Sequence, residues 1–418
     1  MKRLLNQLKS EYFSNISIQL IGTGIAQLIP FLISPLLTRL YPETSFATFT
    51  MFMAVVAVLT VPNGGRYFYA MVIPKEDSEA LNIGKLSFWL VLLYNGFLFV
   101  IFTIFFKELN QFYALGNLWF AIPLYVAIFG IYNIALYLSV RRKLFRTNAI
   151  AKIVQTASTA IFSVVLSFFG LLFSGLILGK MIGVLASIPF LKVKLNLNSD
   201  FEKLKVVAKK YIDYPKVTIL PSLLDIFSLQ ALIFFVGRYY SEETLGYLGL
   251  TNMILIAPIA LIGISFRDVF YQKITGFFND KAYAQAKKLF LGSAAALFLI
   301  GGVIAMVLLF FGEAIFAFVY GNNWIISGKF AVILGIAFWA KLWASPLSSI
   351  FNATHQLKLL SFWQIGYFFT TLTTLYFTVV YFQLPIEPTL IVYTIHEVLL
   401  YTLYFFMQKQ VLQKFKTN

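Results

Sequence analysis

The chain contains no cysteine, and only two of its 418 residues are histidine. Without thiols there is no disulfide framework and no thiolate metal site, and two imidazoles make a transition-metal centre improbable. Charge is also scarce, with Asp, Glu, Lys and Arg together making up 12% of the sequence. A soluble domain needs far more than that on its surface. What replaces charge is apolar: 60% of the residues are hydrophobic and the mean hydropathy is +0.81. These values describe an integral membrane protein. Acids are the scarcer sign, 17 against 33 Lys and Arg, for a net charge of +16. The cations lie mainly between apolar runs rather than on one soluble domain, so they speak for membrane orientation and not for nucleic-acid binding.

Twelve apolar runs are long enough to span a bilayer. The first six are roughly Asn15–Leu37, Thr44–Ile73, Lys85–Phe106, Asn117–Val140, Asn148–Gly170 and Leu172–Leu191. The second six are roughly Val217–Val236, Thr244–Phe270, Leu289–Phe311, Phe330–Phe351, Leu359–Phe382 and Thr389–Met407. None alternates polar and apolar residues as a membrane barrel strand would. Lys2, Arg3 and Lys9 precede the first run with no small-residue cleavage site after it, which predicts an uncleaved first helix. Of the 33 Lys and Arg, 26 fall on the side shared by the two termini, four on the other side (Arg39, Lys107, Arg238, Lys329) and three inside runs (Arg66, Lys180, Lys341). Both termini are therefore expected in the cytoplasm.

The longest polar stretch, Lys192–Lys216, holds seven lysines and spaces Phe201, Leu204, Val207, Ala208 and Tyr211 as one helical face. It predicts an amphipathic helix lying on an anionic inner leaflet. This linker, 195–216, would separate an N-terminal lobe, 1–194, from a C-terminal lobe, 217–418. The lobes repeat one another: Arg39-Leu-Tyr-Pro-Glu43 aligns with Arg238-Tyr-Tyr-Ser-Glu242 at an offset of 199 residues, and Arg66 falls two residues out of register with Arg267. Six spans per lobe, an even number, make the repeats parallel, an arrangement that in transporters places substrate between the halves.

Arg66 sits inside the second run, after Phe46–Val61 and before Tyr67–Ile73, with Pro74 and Lys75 closing the run. An arginine at the bilayer centre costs roughly 2.5–3.5 kcal/mol, so a cavity-facing position is expected. Pro62, Gly64 and Gly65 would bend the helix just before it.

Several stretches are similar to one family. Leu36-Leu-Thr-Arg-Leu-Tyr-Pro-Glu43, Gly65-Arg-Tyr and Val72-Ile-Pro-Lys75 resemble the first two helices of the bacterial polysaccharide-biosynthesis flippases, the Wzx-like branch of the MATE-like exporter superfamily. Tyr214-Pro-Lys216, Gly246–Asn252, Phe270-Tyr-Gln-Lys273, Phe318-Val-Tyr-Gly321 and Ser345–Asn352 extend the likeness over nearly the whole chain. The resemblance implies an all-α, MATE-like membrane protein of twelve transmembrane helices, two six-helix bundles forming a V around a central cavity. It also implies export of an undecaprenyl-diphosphate-linked oligosaccharide, such as an O-antigen or capsule repeat unit in lipopolysaccharide or polysaccharide biosynthesis, across the bacterial cytoplasmic (inner) membrane. A glycan polymerase and a chain-length regulator would be partners. Asp225 departs from the pattern, which leads one to expect an uncharged residue such as asparagine.

Such a cargo must carry its diphosphate through a low-dielectric medium. Arg66, Lys341, Arg267 and Lys180 are the cations available, arginine as a bidentate fork and lysine as a point charge; for Arg267 the plainer reading is snorkelling at the membrane edge. Asp225, Glu397 and His396 are candidates for H⁺ or Na⁺ coupling, and the acids equally for pairing with Lys341 or Arg66 to hold the lobes together. Tyr67 and Tyr69 are the aromatics nearest Arg66 for stacking on sugars, although most aromatics are expected to be lipid-facing or interfacial. No cofactor, metal or catalytic residue is expected. Gly175-Leu-Ile-Leu-Gly-Lys180 is one residue short of a phosphate-binding loop and lacks its Ser or Thr, and His396-Glu lacks the second histidine of a zinc helix. Asn15-Ile-Ser17 and Asn352-Ala-Thr354 fit a glycosylation pattern but lie at or inside spans. A MATE-type ion-coupled small-molecule exporter is the alternative, though cationic drugs would call for an acidic cavity. A glycan polymerase or ligase would need a sizeable charged outer loop, and Lys107–Gly116 and Gly312–Lys329 are short.

Overall fold

The computed structural model describes residues 22–194, 198 and 200–414. The basic segment Met1–Glu11, the Asn15 tripeptide, the start of the first expected span and part of the linker lie outside the described residues. The chain divides into two compact units, one up to Ile226 and one from Phe227.

The first unit contains α1 (Gly22–Leu40), α2 (Glu43–Leu59), α3 (Asp77–Ile104), the short α4 (Phe106–Phe112), α5 (Leu118–Arg141), α6 (Phe145–Phe168), α7 (Gly175–Ser187) and α8 (Phe201–Lys210). It ends within α9 (Asp213–Tyr239). The second unit takes the rest of α9, then α10 (Glu242–Pro258), α11 (Ile264–Asn279), α12 (Tyr283–Tyr320), α13 (Ile325–Ala344), α14 (Ser349–Ala353), α15 (Leu357–Leu375) and α16 (Ile386–Lys414). Among the described residues nine helices are long and apolar enough to cross a membrane, and a bent pair makes a tenth. Gly175–Leu191 and Leu357–Tyr381 stand where the sixth and eleventh spans are expected. Strands are absent among the described residues. The architecture is the expected all-α one.

Two expectations need correction. The second span does not run as one helix through Arg66: α2 stops at Leu59, and the chain turns by 63° into a tight segment, Asn63–Val72. The ninth span is not confined to Leu289–Phe311, because α12 continues for 38 residues to Tyr320, a length of about 57 Å. Much of the expected outer loop after Gly312 is therefore helix.

Glycines decide the closest packing in the first unit. Gly175, Gly179 and Gly183 recur every four residues on α7, and a Cβ at any of them would overlap Tyr41, Ser163 or Thr159. Tyr41 fills the notch beside Gly175 and its hydroxyl donates to the Ser163 carbonyl at 2.6 Å. The glycines that hint at a phosphate loop thus serve helix packing. The linker helix α8 is amphipathic as expected and Asp200 caps it, accepting from the Glu202 N–H at 3.1 Å. Its apolar face is not simply laid on lipid, however, because Leu204, Val207 and the following Tyr211 are buried, Val207 and Tyr211 against Tyr67, Met71 and Ile83.

Candidate functional site

In the first unit the site grows from Asn63. Its side-chain amide donates to the Val126 carbonyl of α5 at 2.7 Å, and its oxygen accepts from Asn95 of α3 at 3.3 Å. Tyr94 donates to the Leu59 carbonyl at 3.1 Å, satisfying an acceptor that the end of α2 leaves open. Gly130 has no side chain at the point where Asn63 and Val91 approach α5. So anchored, the chain makes three successive left-handed residues, Gly64 (φ 59°), Gly65 (φ 59°) and Arg66 (φ 58°). Glycine takes this conformation freely, whereas arginine does so at a cost of about 1–2 kcal/mol.

That strained residue carries the candidate charge. The Arg66 guanidinium lies 4.7 Å from the Tyr69 ring centroid, and Tyr69 rests on Phe68 at 4.6 Å and on Tyr137 at 4.9 Å. Arg66 is half-buried, its Nε is fully covered and has no hydrogen-bond partner, and no carboxylate among the described residues pairs with it. The two tyrosines chosen for sugar contact therefore part company. Tyr69 stacks under the guanidinium, whereas Tyr67 is buried and its hydroxyl donates to the Ala208 carbonyl of α8 at 3.0 Å.

The far end of the segment is held by a residue that sequence reasoning passed over. Arg141, at the end of α5, donates to the carbonyls of Met71 (3.2 Å), Pro74 (2.6 Å) and Lys75 (3.2 Å) and to Asp77 (2.9 Å). One guanidinium thus gathers the carbonyls that a tight helix end leaves open. In the run Arg141-Arg142-Lys143 it looks like any loop cation, and no local signal separates it from its neighbours.

In the second unit the candidates gather around Tyr367 and Tyr401. Glu397 on α16 is 2% exposed, and both its oxygens accept from the Tyr367 hydroxyl at 3.0 Å. His396 Nδ1 lies 3.5 Å from Glu397 Oε1, yet both ring nitrogens of His396 are covered and without a hydrogen-bond partner among the described residues. Lys341 on α13 is half-buried, with Nζ 5.4 Å from the Tyr401 centroid and 5.9 Å from that of Phe338. Tyr401 in turn meets Tyr367 edge-on at 6.1 Å. Lys341 rests on Tyr401 and Glu397 on Tyr367, and Lys341 forms no ion pair with Glu397. Nothing in the sequence marks Tyr367, thirty residues from the acid it serves.

Lys180 is half-buried on α7 with no bonding side chain among the described residues, Arg267 is exposed on α11, and Asp225 is half-buried on α9. Among the described residues no cluster of His, Cys, Asp or Glu could hold a metal ion.

A family model described as "Polysaccharide biosynthesis protein" matches residues 36–328, which is most of the chain. The chain belongs to that family. Among curated proteins none matches it. Solved structures of the same fold include the lipid II flippase MurJ in an inward closed conformation, at 14% identity and a TM-score of 0.74 over 94% of this chain and 89% of that one. A multidrug resistance MATE transporter of the MOP superfamily in an inward-facing conformation aligns at 15% identity and a TM-score of 0.66 over 96% of both chains. A MOP superfamily transporter from Pyrococcus furiosus, described as having a binding pocket of reverse polarity, aligns at 14% identity and a TM-score of 0.59, again over 96% of both chains. The chain therefore has the fold of MOP superfamily transporters.

Proposed function

We propose that the protein moves a lipid-linked oligosaccharide, bearing its diphosphate, from the cytoplasmic to the outer leaflet of the bacterial inner membrane by alternating access and without covalent chemistry. An O-antigen or capsule repeat unit on an undecaprenyl carrier is the cargo that the family suggests. One observation carries this reading: each unit holds a half-buried cation over an aromatic ring, Arg66 over Tyr69 and Lys341 over Tyr401, with no carboxylate paired to either among the described residues. A cation kept unpaired in an apolar span is costly to fold around, and a transient anion is the partner that justifies it. Arg66 adds a strained backbone, a signature that clusters at ligand clamps. The lipid II flippase of the same fold supports the cargo class. Both termini face the cytoplasm in this reading, as the loop charges direct.

The test is surface glycan output in cells carrying Arg66→Ala, with membrane insertion of the variant verified. Loss of surface glycan with normal insertion supports the reading; unaltered glycan removes Arg66 from the mechanism.

The buried Glu397 favours a second reading, an ion-coupled exporter of small molecules, since an acid buried within a membrane span is a mark of an ion pathway. Efflux of a cationic dye that is lost in Glu397→Gln, with glycan output unchanged, would select it.

A further inference from the structure

We propose that the groove between α11 and α12 is a binding site for one anionic phospholipid of the leaflet on the lysine-rich side, distinct from the transported cargo. The two helices form an antiparallel hairpin turning at Asp280–Ala282, and between them lies a cavity of about 740 Å³ wholly within the second unit. Its lining is layered along the hairpin. Asp280 and Gln285 stand at the turn, Lys273 about two turns and Lys288 about one turn further in line the groove from opposite helices, and Phe266, Phe270 and Ala296 line the deep end. From Lys273 to Phe266 is about 10 Å along the helix. Both lysines are exposed, and neither makes an ion pair or hydrogen bond among the described residues. Two cations, one acid and then an apolar trough reproduce the profile of a phosphate headgroup joined to an acyl chain.

The first unit shows the same face put to another use. Leu86, Trp89, Leu90 and Leu93 of α3 stand 199 residues before Gln285, Lys288, Leu289 and Gly292 of α12, and all eight line cavities. On α3 the opposite wall is the linker helix, through Phe201, Leu204 and Ala208. The end of α16 is the corresponding extension after the sixth helix of the second unit. Its Lys409, Leu412 and Gln413 meet a neighbouring strip of α12, Tyr283, Lys287 and Leu291. Among the described residues the Lys288 face is thus lined by α11 and α12 alone, and it carries charge where α3 carries Trp89.

Native mass spectrometry of the full chain in nonionic detergent, titrated with phosphatidylglycerol and with phosphatidylcholine of the same acyl chains, tests this. One phosphatidylglycerol should bind at least about tenfold more tightly than phosphatidylcholine. Lys273→Gln with Lys288→Gln should weaken it about 25-fold, since each surface lysine contributes roughly fivefold to anionic-lipid binding. Gly292→Trp, built where a Cβ meets nothing within 4 Å, should exclude the chain while leaving both lysines, and Lys358→Gln should change nothing. Equal affinity for the two lipids, unchanged binding in the double variant, equal loss in Lys358→Gln, or tighter binding of a polyprenyl diphosphate than of phosphatidylglycerol would each overturn the proposal. Glycan output is not read, so the result stands apart from the fate of the transport reading.

Discussion

The second helix of each unit occupies the same place in the repeat, yet the two backbones do opposite things there. In the first unit α2 ends and Gly64 is left-handed at φ 59°; 199 residues on, Gly263 has φ −65° and the helix continues. The second unit widens into a π-turn at Ile259–Gly263, next to Pro258, whose missing N–H already loosens the ladder, and then resumes as α11. The local sequence explains the contrast. Asn63 has a buried polar anchor on two other helices, and two glycines follow it, whereas the corresponding residue Ile262 has no polar side chain and is followed by the single glycine Gly263. Arg66 is consequently fixed on a braced, non-helical turn, while Arg267 rides an exposed helix face. Sequence symmetry between the two arginines does not make them equivalent.

The sharpest way to break this contrast is Arg66→Gly. Glycine removes the charge but tolerates the left-handed backbone, so surface glycan should fall to background while the melting temperature in detergent holds or rises slightly. A fall in melting temperature would show that Arg66 stabilises the fold. Next in size is the pair of alanine substitutions at the two equivalent hinges. Gly64→Ala with Gly65→Ala should cost about 2–4 kcal/mol, one left-handed penalty at each position, with Val91 and Tyr67 crowding the new methyls. Gly263→Ala, whose Cβ comes no nearer than 3.5 Å to Pro346, should be neutral or stabilising by up to about 1 kcal/mol. Equal effects at the two hinges would erase the distinction. Smaller again is Tyr367→Phe in the second unit, which strips the one hydroxyl bonded to both Glu397 oxygens and should cost about 1–3 kcal/mol. Denaturant titration followed by tryptophan fluorescence measures both sets.

The spans were legible because a bilayer requires about twenty apolar residues per helix, and nothing else in a chain this hydrophobic competes with that pattern. Pro62, Gly64 and Gly65 announced a bend, but the residues on both sides are apolar, so neither the end of α2 nor the hand of the turn could be read. Both depend on Asn95, Val126 and Gly130, which approach from helices remote in sequence. Glu397 stood out as an acid in an apolar run, whereas its partner Tyr367 is one of 23 tyrosines. Arg141 was hidden for the opposite reason, as one basic residue among several in a loop. In both units the charged candidates were visible and the aromatic or backbone groups that position them were not, since those groups have no composition signal of their own.

The mildest test concerns α8, which the first unit has and for which the second has only the end of α16. Tyr67→Phe keeps the ring in its buried slot and deletes one hydrogen bond, to the Ala208 carbonyl. A neutral hydrogen bond contributes about 1 kcal/mol, so hydrogen exchange of the α8 amides should quicken about fivefold. The helix stays docked because Lys210 and Tyr211 both reach Glu79. That hydrogen bond holds the Lys210 ammonium above the usual lysine range, so its contribution is complete at neutral pH and is lost only as pH climbs through the raised value. The fivefold ratio between Tyr67→Phe and wild type should therefore be the same at pH 7 and pH 8.5. Lys210→Met removes a solvent-exposed pair and should quicken exchange by no more than about threefold. If Lys210→Met proves the more damaging change, the surface pair with Glu79 of α3, and not the buried tyrosine of the Arg66 turn, is what fastens the linker helix.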